Sequence, residues 1–376
     1  MVINIADNKN LRIEYSNHEE MYRLNEYFTR EKRNARFKKD RNSIVKFFRT
    51  NNTIPIQLWE DVKKLCITNG FEYKFEEENK MFRDYEVSFV VDWCKKQIKG
   101  TEYSEFDMDD TYLTVYKIIV NRYGRLDLSV SYGKSVVLYL ASKFLIDHKE
   151  ESRIMILEPK PQLSSQLLGE FAGLHKHGFL PFSVWKAGTK MKDTPIVITN
   201  FQLAVNLPSS LLELMTMTMC DECHFSSAPS YKIIITEKCK NVKSTIGVTG
   251  SLLEDDSAED FSVKCVSGGT LKTVTKREVI DAGRASDGII SFIHLDYVPT
   301  YEKASIVSRR YDERISKLIS VDLECEDILK YDWRIKVLAK FAVRNALTKG
   351  NGMVLFRKVR GGYAMKFIEY MKAIDK

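Results

Sequence analysis

Residues 126–135 read Leu126-Asp127-Leu128-Ser129-Val130-Ser131-Tyr132-Gly133-Lys134-Ser135. The apolar opening predicts a strand over 126–129. The small polar residues after it predict a tight turn, and Val136-Val137-Leu138-Tyr139-Leu140-Ala141 predicts a buried helix over 135–146. Strand, turn, Gly-Lys-Ser and helix is how a phosphate-binding loop is built. Backbone N–H groups at the helix start point at phosphates, the lysine reaches the outer phosphate oxygens, and the hydroxyl ligates Mg²⁺. Ser131, Gly133, Lys134 and Ser135 are therefore candidate ATP contacts, with Ser135 also a candidate metal ligand. The usual loop begins with glycine four residues before the Gly-Lys pair, where this chain has Ser129. Taken alone, these ten residues leave an ordinary strand-to-helix turn open as the alternative.

Downstream the rhythm continues. Strands are expected at 154–157, 184–185, 196–199 and 213–219, with helices at 163–174 and 201–206. Apolar strands between helices predict a parallel α/β sheet, and ligands of such sheets gather at the carboxyl ends of the strands.

The strand at 213–219 runs into Cys220-Asp221-Glu222-Cys223-His224. Through its cysteines this is the spacing of c-type haem attachment, or half a zinc site with Cys239. Through its acids it is what a phosphate-loop ATPase needs: Asp221 to hold Mg²⁺ through the metal's waters, Glu222 to deprotonate the attacking water. The haem reading requires export, and the opening residues Met1 to Asp7 are too short and too acidic for a signal peptide. The zinc reading lacks a second Cys/His pair at suitable spacing. The acidic reading is preferred, because Gly-Lys-Ser and Asp-Glu each end an apolar strand and support each other.

Upstream, residues 1–99 read as a small α+β unit. A strand is expected at 11–15, helices at 18–27, 56–69 and 87–98, and a helix stop at Gly70. Arg30, Lys32, Arg33, Arg36, Lys38, Lys39, Arg41, Lys46 and Arg49 form the most basic stretch, with Phe37, Phe47 and Phe48 interleaved. Such a pattern suits a groove that tracks phosphates and stacks bases. It equally suits a solvated strand pair whose aromatics lie in the core.

Composition sets wide limits. The 376 residues are 44% hydrophobic, and Lys+Arg 58 against Asp+Glu 51 leaves a net +7, which permits a polyanion partner without requiring one. No run approaches 18 apolar residues, so no membrane-spanning helix is expected. Seven cysteines without an export signal read as reduced thiols, and a cytoplasmic setting is expected (the host's, for a viral protein).

The motifs together resemble the superfamily-two DExH helicases, and among them the phage UvsW family. Asp221-Glu222-Cys223-His224 resembles the DExH box. Ile246-Gly247-Val248-Thr249-Gly250-Ser251-Leu252 resembles the family's third motif. Leu157-Glu158-Pro159-Lys160, with Leu163 and Gln166, and Ile198-Thr199-Asn200-Phe201-Gln202 resemble the motifs that grip the nucleic-acid backbone. The similarity runs almost end to end, and is loosest after Lys38.

The resemblance implies a fold: a RecA-like parallel sheet domain over 100–300, a small α+β nucleic-acid-binding domain over 1–99 before it, and an incomplete second RecA-like domain over 301–376. It implies an ATP-dependent DNA helicase for recombination, branch migration and fork or R-loop processing. Its cofactors would be ATP and Mg²⁺, and its substrate branched or single-stranded DNA or an RNA–DNA hybrid. Lys134 and Ser135 would bind the triphosphate and Mg²⁺, Asp221 the metal, and Glu222 would be the base. His224, Thr249, Gly250 and Ser251 would couple nucleotide state to nucleic-acid grip. Arg36, Lys38, Pro159, Lys160 and Thr199 would touch nucleic acid.

Three departures qualify this. Tyr132 stands where many relatives have a small residue. No glutamine lies between Gln97 and Gln162 to read the adenine. The arginine-bearing motifs of the second domain, worth roughly 10³–10⁵ in rate, are not found before Lys376. A second chain completing the cleft is therefore expected, and a DNA- and ATP-binding module of impaired catalysis is the alternative. Residues from about 330 onward are expected to pack on the first domain, stay mobile or pair with another chain.

Overall fold

A computed structural model describes residues 1–31, 44–105, 107–175, 181–188, 192–251, 257–285, 332–349 and 363–374. The chain divides into two compact units, Met1–Asp287 and Gly288–Lys376.

The first unit opens with a mixed four-stranded sheet. It contains β1 (Val2–Ile5), β2 (Asn10–Glu14), β5 (Thr53–Pro55) and β6 (Lys74–Phe75), in the order β5-β2-β1-β6. Leu11 and Ile13 are buried while Arg12 and Glu14 are exposed, the alternation of a strand with one wet face. The helix His18–Tyr27 starts at Asn17, whose side chain accepts the Glu20 N–H. The helix Trp59–Asn69 ends at Gly70, at φ 67, which glycine adopts without strain. Between these lies a short antiparallel ribbon of β3 (Thr29–Glu31) and β4 (Ile44–Lys46).

The core of this region includes Ile3, Leu11, Ile13, Leu24, Phe28 and Trp59. It also takes in Tyr123, Phe261 and Cys265 from the larger sheet layer. The two regions thus share one apolar core.

The main sheet has seven parallel strands: β7 (Tyr123–Leu128), β8 (Ile154–Glu158), β9 (Phe182–Val184), β10 (Ile196–Asn200), β11 (Met217–Cys220), β12 (Ser244–Thr249) and β13 (Thr270–Val274). Their order is β13-β7-β12-β11-β8-β10-β9, and every pairing is parallel. This is the expected RecA-like α/β sheet. Most of its strands are buried on both faces, as a parallel sheet between helices must be. On one face Ile154, Ile156, Met217, Met219, Ile246 and Val248 pack with the helix Lys134–Asp147. On the other, Met155, Leu157, Val197 and Cys220 pack with Tyr231, Ile234 and Val263. Each such buried aliphatic side chain contributes roughly 1.5–3 kcal/mol.

The second unit contains the helices Asp332–Lys349 and Tyr363–Ile374. Ile335, Ala339 and Phe367 form its apolar centre, and the Tyr370 hydroxyl donates to Asp332 at 2.6 Å. Met353-Val354-Leu355-Phe356 reads as a strand from its sequence and lies outside the described residues. No described helix is long and apolar enough to cross a membrane.

Candidate nucleotide site

The candidate site forms where the carboxyl ends of β7, β8, β11 and β12 meet. After β7 the chain turns through Ser131 (φ 70) and Gly133 (φ 99), both left-handed, into the helix Lys134–Asp147. Glycine takes this conformation freely, whereas at Ser131 it costs roughly 1–3 kcal/mol, an amount retained mainly where geometry serves a site. No side chain caps the helix. Its first N–H groups and the positive end of its dipole are thus directed at whatever lies over the loop.

Tyr132 neither crowds the loop nor points outward. It is 3% exposed, and its hydroxyl lies 2.6 Å from Thr114 Oγ1 and 2.7 Å from Asp110 Oδ2. Asp110 also pairs with Lys272, and the Lys272 ammonium and Arg284 guanidinium each lie 5.7 Å from the tyrosine ring centroid. The aromatic side chain ties the loop to the helix Asp109–Val120. Sequence reading singled out Tyr132 as a departure but did not find its partner Asp110.

Lys134 Nζ is 2.5 Å from Glu222 Oε1. Glu222 follows β11 in a left-handed conformation (φ 49). Its other oxygen accepts from Thr249 Oγ1 at 3.3 Å and lies 3.3 Å from His224 Nδ1, which is 2.8 Å from the same threonine hydroxyl. The Ser251 N–H donates to Thr249 Oγ1 at 3.1 Å. A Cβ at Gly250 would stand 3.2 Å from the Leu128 carbonyl oxygen and 3.4 Å from Lys134 Nζ, so a side chain there would press on the lysine. Lys134, Glu222, His224, Thr249, Gly250 and Ser251 are thus brought together.

Asp221 comes immediately before, its N–H donating to the Leu157 carbonyl at 3.0 Å and its Oδ1 accepting the Glu222 N–H at 3.0 Å. Burial pushes the Asp221 carboxyl up to about 6 against the pull of Lys134. Burial acts on Glu222 too, but the Lys134 hydrogen bond and charge, with His224 and the Gly250 amide, outweigh it and lower that carboxyl. Burial lowers the His224 imidazole against the pull of the Glu222 charge.

The residues fit a magnesium nucleotide. An uncapped helix start and a lysine offer an anion site, and Ser135 and Asp221 are hard oxygen donors. No group of three His, Cys, Asp or Glu among the described residues is arranged to hold a metal directly. Mg²⁺ keeps several of its waters when bound and needs few direct protein ligands.

Other expected residues divide. Lys160 is exposed, while Pro159 is buried and its carbonyl accepts from Gln202 Nε2 at 3.0 Å. Thr199 is fully buried and its hydroxyl donates to the Trp185 carbonyl at 3.2 Å, so its side chain is not presented to a nucleic-acid strand. Phe47 and Phe48 are core residues, with Phe47 5.5 Å from Phe261, so neither is a base-stacking platform. Arg36, Lys38 and Phe37 lie outside the described residues. Cys220, Cys223 and Cys239 are buried free thiols, each raised by burial. Cys223 packs so closely on β12 that a Cβ at Gly247 would meet its Sγ at 2.8 Å.

Sequence reading missed one further acid. Glu158, the last residue of β8, is 1% exposed, and burial followed by the Asp221 and Glu222 charges pushes it up to about 8. Its signal, an acid ending an apolar strand, is the one that marked Asp221.

A seven-stranded parallel sheet with Gly-Lys-Ser, Asp-Glu and Thr-Gly-Ser at its carboxyl edge is the arrangement that the resemblance to superfamily-two helicases implies. The family model described as "Type III restriction enzyme, res subunit" matches residues 79–252. The ATP-dependent DNA helicase UvsW of Enterobacteria phage T4 is 25% identical over 328 residues, 84% of this chain and 61% of that protein. The chain therefore spans about three-fifths of that relative's length. Two crystal structures of T4 UvsW share the fold at TM-score 0.62. One is 21% identical and covers 72% of this chain and 99% of its own. The other is 19% identical and covers 99% of this chain and 72% of its own. Within the superfamily, the chain is similar to the UvsW helicases over most of its length.

Proposed function

We propose that this chain is the ATP-hydrolysing motor portion of a DNA helicase of the UvsW kind, acting on branched or single-stranded DNA or RNA–DNA hybrids. The observation that carries the reading is the Lys134–Glu222 pair, held at 2.5 Å and tied through Thr249 and His224 to the end of β12.

The chemistry follows from competition for one lysine. The loop amides and Lys134 bind the phosphates of ATP. A γ-phosphate that takes Lys134 displaces Glu222 from it. Glu222 then accepts a proton from the water that attacks phosphorus. Ser135 and Asp221 would hold Mg²⁺, which would supply neutralisation of the charge on the leaving oxygens. Thr249 and His224 both touch Glu222, so a shift of that carboxylate moves the segment through Gly250 and Ser251. This supports their reading as the couplers between nucleotide and nucleic acid. Lys160, and Arg36 and Lys38 in the basic stretch, are the proposed backbone contacts.

Equilibrium binding of a fluorescent ATP analogue tests the nucleotide assignment. Lys134→Ala is expected to weaken binding at least tenfold, about 1.4 kcal/mol. Glu222→Gln frees the lysine and is expected to bind as tightly as the unaltered chain or more so. Equal binding by the unaltered chain and Lys134→Ala would place the nucleotide elsewhere.

A further inference from the structure

Glu158 has neither carboxyl oxygen hydrogen-bonded among the described residues, although it is almost fully buried. A buried polar group without a partner costs about 1–3 kcal/mol. Alternation along β8 puts Glu158 on the face of Ile154 and Ile156, which pack with Val136, Val137 and Leu140 of the helix that follows the loop. Leu157 is level with Cys220 in the parallel register, so Glu158 stands one rung on, beside Asp221. The charges it feels are those of Asp221, Glu222, Lys134 and Glu170. Three carboxyl groups at one strand edge, with one lysine near them, favour a cation. A cation that keeps its water can be held by such carboxyl groups through that water.

We propose that Glu158 is a positioning residue for hydrated Mg²⁺, its two free oxygens accepting hydrogen bonds from water in the metal's shell beside Asp221. This rests on the nucleotide reading above. The corresponding strand end need only be apolar for the sheet to form, so an acid there calls for a separate reason.

Calorimetric titration with ADP, once with Mg²⁺ and once in EDTA, separates the two claims. The unaltered chain is expected to bind ADP more tightly with Mg²⁺. Glu158→Gln, which keeps shape and removes charge, is expected to bind metal-free ADP normally and to lose roughly tenfold of the Mg²⁺-dependent gain. Glu158→Asp should recover part of it. Full retention of the gain in Glu158→Gln, or an equal loss with and without Mg²⁺, would overturn the inference and leave Glu158 a packing residue. Failure of the unaltered chain to bind ADP in either condition would remove the nucleotide reading, and this inference with it.

Discussion

At the scale of single residues, the site is a cluster of acids around one lysine, and the acids are not equivalent. Glu222 has Lys134 as partner and is held low. Glu158 has none and is raised from 4.5 to about 8. A carboxyl raised in the folded state binds more protons there than in the unfolded chain between those values. Its contribution to stability is therefore present below about pH 4.5 and lost as pH rises through about 8. Metal-free chain should become less stable across that window, and Glu158→Gln should remove most of the slope and gain roughly 2–4 kcal/mol at pH 8. Denaturant unfolding at pH 5 and pH 8 measures this; an unchanged slope in the variant would show that Glu158 is not the titrating group. Lys134, Asp221 and Glu222 were legible because strand ends and local spacing place them. Glu158 was quoted within a motif but not singled out, because what distinguishes it is burial without a partner. Tyr132 was noticed for its size, yet its role depends on Asp110 and Thr114, which touch it in space but lie 22 and 18 residues earlier in sequence, on another helix.

At the scale of elements, hydrophobic runs announced most of the parallel sheet, and the helices at 18–27 and 87–98 fall where their patterns put them. β12 and β13 were not read as strands. β12 carries Gly247 and threonines that look like loop residues, and its glycine is there for closeness: Cys223 fills the space a side chain would take. Gly247→Ala forces a contact of 2.8 Å with Cys223 and is expected to cost about 1–3 kcal/mol, with partial rescue by Cys223→Ala. Thermal melts of the single and double variants check this; no interaction between the two substitutions would mean the cysteine is not what meets the new methyl. The Cys-x-x-Cys spacing thus finds a packing explanation for Cys223. Thr199 shows the limit of motif reading on a strand buried on both faces. With no alternation of polarity, the sequence does not say which side chains face outward.

At the scale of the whole molecule, composition suggested a basic stretch with aromatics that could bind nucleic acid or fold inward. Phe47 and Phe48 fold inward, and the core they join continues into Tyr123 and Phe261 of the larger layer. Residues 1–99 and the sheet therefore belong to one compact unit, a continuity that no local pattern encodes because it joins residues far apart in the sequence. The central claim is that this unit couples ATP hydrolysis to nucleic acid. Steady-state ATP turnover, measured with and without single-stranded DNA, tests it most directly. Turnover, expected to be slow in the chain by itself, is predicted to rise with DNA, to fall further in Glu222→Gln and to vanish in Lys134→Ala. Turnover that ignores DNA, or that survives in Glu222→Gln, would contradict the account.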